Sequence, residues 1–348
     1  MTLEDFLKEW NNDSDRVLVH TSGSTGTPKP MWVEKRRMEA SARITCDFLG
    51  LREGDTALLC MSLDYIAGKM MVVRSLVRNL KLMVVEPTGH PMTPLQLPRG
   101  GGQDPEQDTP PRGSWRGVAF AAMVPMQVWN SLQVPEERER LRRIGHLIIG
   151  GGAIDEALAR ELRDFPNNVW STYGMTETLS HIALRRLNGK AASEWYTPFS
   201  GVGISQNEDG CLVIDAPQVH DGLLVTNDIV EIRETDGTVQ FRVLGRKDNV
   251  ICSGGIKIQT EEVERTLKPH VREPFLITKR KDAKFGEIVV MMVEGQPDRA
   301  ALQYICQQHL PRYWQPRDFV FVDKLPMTET GKPARKRAEE MVRESEFS

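Results

Sequence analysis

The stretch VLVHTSGSTGTPKPMWVEK, Val17–Lys35, sets the reading of the whole chain. RVLVH and MWVEK read as strands. Between them Thr21, Ser22, Ser24, Thr25 and Thr27 offer hydroxyls, and Gly23 and Gly26 let backbone N–H groups close on an anion. Lys29 adds a mobile positive charge. A Walker loop runs Gly-Lys-Ser/Thr straight into a helix. Here Pro28 and Pro30 flank the lysine and disfavour a helix at that point. The stretch therefore reads as a phosphate loop between two strands, and a P-loop kinase or NTPase is disfavoured. A polar hairpin is the other reading that its composition allows.

Outward from this loop the pattern alternates. A helix is expected from about Arg37, with Met38, Ile44, Phe48 and Leu49 partly along one face. DTALLC, KLMVVE, GVAFAAMV and HLIIGGG read as strands, and IAGKMMVVRSLVRNL as a mostly apolar helix. Such alternation predicts an α/β domain with a largely parallel sheet. The Pro- and Gly-rich stretch from Pro87 to Gly113 reads as a loop without a core of its own. After Asn188 shorter strands are expected (GCLVI, LLVTNDIVEI, TVQFRVLG), forming a β-rich subdomain. GRKDNV is a turn-rich junction, and the strands and helices beyond it suit a small α+β domain. The expected division is a large domain over 1–244 with a β-rich subdomain at 188–244, a junction at 245–249 and a small domain at 250–348.

Composition narrows the partners. With 348 residues and a net charge of −3, nothing in bulk points to nucleic acid or an anionic membrane. No basic-then-apolar leader opens the chain, and the longest apolar run is broken by Asp64 and Lys69. Five scattered cysteines, without a CxxC pair, suit reduced thiols in a cytoplasm. Oligomeric state is not legible.

Five further stretches carry chemistry, each with a plainer reading beside it. In STYGMTET, Tyr173 beside Gly174 can lay its ring on a base, Thr176 can bond a phosphate oxygen, and Glu177 can hold Mg²⁺; a capped helix start explains it too. In IIGGGAID, Gly151, Gly152 and Ala153 permit close approach of a flat ring, or simply turn strand into helix. In TNDIV, Asp228 can accept both hydroxyls of a ribose, or sit in a turn. In GRKDNV, Arg246 can meet ribose or phosphate, with Asp248 at the junction. In PMTETGKPAR, Gly331 exposes backbone beside Lys332, or Lys332 is a surface lysine.

Taken in order and spacing, these stretches closely resemble the acyl-adenylate-forming superfamily. The match runs from Val17 to about Arg335. The resemblance implies that Thr21 to Lys29 hold the β- and γ-phosphates of ATP. It implies that Gly151, Gly152 and Tyr173 bracket adenine, and that Ala153, Gly174 and Met175 also bind the nucleotide. Thr176 would touch the α-phosphate, Glu177 would bind Mg²⁺, and Asp228 and Arg246 would hold the ribose. Asp248 would be a hinge, Lys332 the catalytic lysine, and Ser253, Gly254 and Gly255 the approach for coenzyme A. The substrates implied are ATP, a small-molecule carboxylic acid and coenzyme A.

Three departures stand out: Pro30 and Asn227 where the family favours glycine, and Tyr65 where it often has a histidine that gates the acyl pocket. A fourth is the short segment before the loop, from which a missing N-terminal lobe is expected. Within the superfamily the chain is most similar to the o-succinylbenzoate–CoA ligases of menaquinone biosynthesis. YIAGKMMVVR resembles their pocket helix, so Arg74 would face the substrate's second carboxylate; pairing at the surface is its plainer reading. His181 would line the same pocket, or be a satisfied structural histidine. Loading of a carrier protein, and a non-catalytic nucleotide-binding module, stay open as alternatives.

Overall fold

A computed structural model describes residues 1–20, 30–95, 117–152, 154–235, 237–328 and 333–344. The chain opens with a helix that the sequence reading did not anticipate, α1 (Leu3–Trp10), started by a capping box between Thr2 and Asp5. Strands β1 (Arg16–His20) and β2 (Pro30–Glu34) then pair antiparallel, His20 opposite Pro30, as an isolated hairpin. Residues Thr21–Lys29, the expected phosphate loop, join the two strands and lie outside the described residues. Helix α2 (Lys35–Leu49) follows and stops at Gly50, whose φ is 66°. It buries Met38, Ser41, Ala42, Thr45, Cys46 and Leu49. Phe48, expected on that face, is instead exposed along one side and meets Trp170 and Phe199 edge-on.

The next elements are β3 (Thr56–Leu59), α3 (Ile66–Arg78), β4 (Lys81–Val84), β5 (Phe120–Met123), α4 (Pro125–Leu132), α5 (Pro135–Arg142), β6 (His146–Ile149), α6 (Glu156–Leu162), β7 (Asn168–Gly174), β8 (His181–Arg186) and β9 (Thr197–Pro198). Their strands form one sheet in the order β4-β3-β5-β6-β7-β8-β9. The first five run parallel, and β8 and β9 are antiparallel additions at one edge. Successive residues of a strand point to opposite faces. Here both faces are packed: Ala57, Leu59, Phe120, Ala122 and Ile148 enter one core, and Leu58, Ala121, Met123, Leu147 and Ile149 the other. That is why the central strands read as unbroken apolar runs. The α/β expectation with a mostly parallel sheet is met.

Beyond the sheet, β10 (Gly203–Gln206), β11 (Cys211–Asp215), β12 (Leu223–Thr235) and β13 (Thr238–Arg246) form a four-stranded antiparallel sheet. The expected strand LLVTNDIVEI forms within β12, which runs on to 13 residues. Its polar centre, Thr226-Asn227-Asp228, looks like a break but pairs onward through a register shift at Ile229–Val230. A single 3₁₀ turn, Lys247–Asn249, then leads to β14 (Val250–Ser253), β15 (Ile256–Gln259), α7 (Thr260–Leu267), β16 (Phe275–Asp282), β17 (Gly286–Glu294), α8 (Arg299–His309), β18 (Asp318–Val322) and α9 (Arg335–Glu344). These elements carry two cores of their own, drawn only from residues between Ile251 and Val342. Among the described residues no helix is long and apolar enough to cross a membrane.

Candidate functional site

The parallel strands deliver their carboxyl ends to one side, where open α/β sheets hold ligands. β6 ends at Gly150–Gly152 and β7 at Gly174, followed by a 3₁₀ turn, Thr176–Thr178. The capped helix considered for this segment does not form, because β8 begins at His181. The turn is very tight. A β-carbon on Gly174 would lie 2.2 Å from the Ser180 carbonyl oxygen, so no side chain fits. Leu179 takes a φ of 64°, a left-handed backbone that costs a non-glycine residue roughly 1–2 kcal/mol. Thr178, fully buried, accepts from the Met175 N–H at 3.0 Å and fixes the turn. Thr176 is buried beside it. Glu177 is half-exposed, and among the described residues nothing bonds its carboxylate.

Tyr173, at the end of β7, reaches the antiparallel sheet. Its hydroxyl donates to Asp228 Oδ2 at 2.6 Å. Its ring packs edge-on against Phe241 and tilted against Tyr196. Burial first, then the charge of Asp228, holds that hydroxyl protonated far above its ordinary range. Asp228 lies opposite Arg246 in the β12–β13 register. Arg246 Nη1 approaches Asp228 Oδ1 at 3.3 Å, and Nη2 donates to Asp248 Oδ2 at 2.8 Å. Asn227 donates to the same Asp248 oxygen at 3.2 Å. Burial works against the Arg246 charge, but the Asp248 bond and the two carboxylates outweigh it and hold its pKa above the ordinary value. Four residues named separately in the sequence, Tyr173, Asp228, Arg246 and Asp248, thus form one cluster.

A second cluster lies under α3. Arg74 is fully buried, so the surface pairing considered for it is overturned. Its Nη2 donates to Ser180 Oγ at 2.5 Å. His181 Nδ1 lies 3.2 Å from the same Oγ, and His181 Nε2 lies 3.1 Å from Thr45 Oγ1. Thr45 in turn donates to the Ser41 carbonyl. Burial, then the Arg74 charge, pushes the His181 pKa well below the ordinary value and keeps the ring neutral. Thr45 gives its proton to the Ser41 carbonyl, so Nε2–H donates to Thr45 and Nδ1 accepts from Ser180. Among the described residues no carboxylate pairs with Arg74, and its Nε is buried without a partner. Burial lowers the guanidinium to about 10. The cavity beside His181, lined by Ser41, Ile44, Phe199 and Gln218 among others, holds about 10 Å³, room for one water. Tyr65 precedes α3 as its N-cap residue.

The junction is crowded. A β-carbon on Gly245 would lie 2.1 Å from Gln259 Nε2 and 2.7 Å from Glu261 Oε2. Gln259 also donates to the Arg246 carbonyl at 3.0 Å, and Asn249 donates to Glu261. Ser253 and Ile256 pair across Gly254 and Gly255, both at positive φ, so these glycines form a hairpin turn. Lys332 and Ala153 lie outside the described residues. The chain that follows Lys332 is anchored: Ala334 donates to the Pro326 carbonyl, and Arg335 donates to both oxygens of Glu264 and to the Ile277 carbonyl.

Two of these contributors had no legible sequence signal. Ser180 is one serine among many until Arg74 and His181 meet on it. Thr45 lies mid-helix. Gly245 was visible only as part of GRKDNV.

Among the described residues no group of three or more His, Cys, Asp or Glu side chains is placed to hold a metal. Glu177 alone, unbonded and half-exposed, suits a cation whose other ligands are phosphate oxygens.

Residues 262–332 match the family model described as the AMP-binding enzyme C-terminal domain. The chain is 33% identical to an acyl-CoA synthetase (AMP-forming)/AMP-acid ligase II-like protein from Dyadobacter fermentans, over 97% of this chain and 92% of that one, with a TM-score of 0.61. It is 23% identical to the 2-succinylbenzoate–CoA ligase of Bacillus thuringiensis subsp. konkukian, over 94% of this chain and 70% of that protein. It shares its fold with the o-succinylbenzoate–CoA synthetase of Bacillus subtilis, solved with ATP and magnesium, at 22% identity, 92% and 69% coverage and a TM-score of 0.71.

Proposed function

The chain belongs to the AMP-forming acyl-CoA synthetase and AMP-acid ligase family, and from that premise we propose that it activates a carboxylic acid with ATP and transfers the acyl group to coenzyme A. The acid we assign is a dicarboxylate with an apolar body, with o-succinylbenzoate the first choice. One observation carries that choice: a fully buried guanidinium, Arg74, with no carboxylate of its own among the described residues. A buried unpaired charge is strongly unfavourable, and the anionic end of a substrate offsets it. The names of the Bacillus relatives support the same acid.

In the first half-reaction a carboxylate oxygen attacks the α-phosphorus of ATP, the bond to pyrophosphate breaks, and acyl-AMP forms. Asp228 accepts the ribose hydroxyls, and Arg246 holds Asp228 in place. Tyr173 lies against adenine, and Thr176 bonds an α-phosphate oxygen. Thr21 to Lys29 hold the outgoing phosphates. Lys332 approaches the reacting phosphate, where a preorganised cation is worth roughly 3–4 kcal/mol. Glu177 would hold Mg²⁺, which would supply charge neutralisation for the phosphates. In the second half-reaction the coenzyme A sulfur attacks the acyl carbon, AMP leaves, and the thiol proton goes to solvent. Asp248 is the hinge between the two steps, and Ser253–Gly255 the approach for the pantetheine arm.

Pyrophosphate release against a panel of acids, with and without coenzyme A, tests this reading. We expect release with o-succinylbenzoate, and a thioester only when coenzyme A is present. Release of no pyrophosphate with any acid overturns the function. Turnover of monocarboxylic acids alone overturns the substrate. Acyl transfer only to a phosphopantetheinylated carrier protein overturns the acceptor.

A further inference from the structure

Strand β1 has one sheet neighbour among the described residues, β2, so its other edge lacks a partner strand. Leu18 sits in the middle of that edge. Its N–H donates to Glu9 Oε1 at 3.1 Å, and its carbonyl accepts from Lys69 Nζ at 2.8 Å. Glu9 comes from α1 and Lys69 from the first turn of α3. Lys69 is 2% exposed, lies 5.4 Å over the Phe6 ring, and stands 3.6 Å from Glu9 Oε2. That distance makes an ion pair without a hydrogen bond. Together the two side chains satisfy both polar groups of Leu18, as a neighbouring strand would.

The same lysine also links two elements that flank the proposed substrate sites. β1 leads into residues 21–29, and α3 carries Arg74 five residues after Lys69. A buried lysine is costly unless its charge is used. This one spans two elements that must keep register for the reaction. We propose that Lys69 and Glu9 are positioning residues for adenylation, fixing β1, and with it the entry to the ATP loop, against the helix of the acid pocket. This rests on the proposed function, and touches neither substrate directly.

The test uses the full chain with Lys69→Met, Glu9→Gln and Glu9→Ala. Glu9→Gln keeps an acceptor for the Leu18 N–H and is expected to stay within about twofold of wild type. Glu9→Ala and Lys69→Met should raise KM for ATP about tenfold, the size of one lost charge-assisted hydrogen bond, with kcat changed much less. Hydrogen exchange at residues 17–20 should speed up in both, while β5 and β6 stay protected. If Lys69→Met fails to fold, Glu9→Ala carries the test, since its side chain is a fifth exposed. Unchanged KM, or unchanged exchange at 17–20, in a folded variant overturns the proposal. A loss confined to thermal stability overturns it as well. Absence of pyrophosphate release by the wild type instead overturns the functional reading, and this inference with it.

Discussion

Tyr173 donates to Asp228 across the seam between the seven-stranded and the four-stranded sheet, at 2.6 Å. A carboxylate has about four acceptor sites. Tyr173 takes one and Arg246 a second, which leaves two for the two hydroxyls of a ribose. Asp228→Asn is expected to raise KM for ATP by about 10- to 100-fold, the range of a lost charge-assisted bond. Tyr173→Phe should raise it less and lower the melting temperature, because it removes a tie between sheets. Initial rates of pyrophosphate release, read with thermal melts, check both. An ATP KM that ignores Asp228 would place the ribose elsewhere.

Arg74 predicts two effects of opposite sign. Arg74→Met removes a buried charge that has no carboxylate partner among the described residues, so stability should hold or rise. Use of o-succinylbenzoate should fall by about tenfold or more relative to a monocarboxylic benzoate analogue. Thermal melts and kcat/KM for the two acids are the measurements. A drop in stability with unchanged acid preference would make Arg74 structural only.

His181 makes the protein sensitive to acid. Its folded pKa is depressed, so the unfolded chain binds a proton first as pH falls. The stability it contributes is complete above its unfolded pKa of about 6.5, and declines by roughly 1.4 kcal/mol per pH unit below that. The melting temperature should therefore drop between about pH 7 and about pH 5.5 more steeply in wild type than in His181→Asn. Parallel slopes would show that the imidazole ionises freely in the fold.

Lys332→Ala should nearly abolish acyl-AMP formation, by about 10²–10³-fold, and spare thiolysis of supplied acyl-AMP. Arg335→Ala should show a weaker form of the same split, since Arg335 ties the chain just after Lys332 to Glu264. Equal loss of both half-reactions in Lys332→Ala would contradict the role assigned to it.

Much of the fold was legible because its signals are local. TALL, FAAM and HLII are apolar on both faces and announce a buried parallel sheet. The short motifs named Asp228, Arg246 and Asp248, and the structure brings the three side chains together, two of them opposite each other in a hairpin register. What sequence could not give were the meetings at long range. Arg74 and Ser180 stand 106 residues apart, and only the fold brings α3 to the residue before β8, where one hydroxyl joins them. Helix α1 was passed over because its role appears only once Glu9 and Lys69 are seen on Leu18.

Gly245 has no β-carbon to place against Gln259 and Glu261, and the seam there closes on that gap. Gly245→Ala would set its methyl group against the far ends of the Gln259 and Glu261 side chains, which would swing aside and loosen the Gln259 bond to the Arg246 carbonyl. The cost of that change is the rearrangement of two side chains where β13 meets β15 and α7.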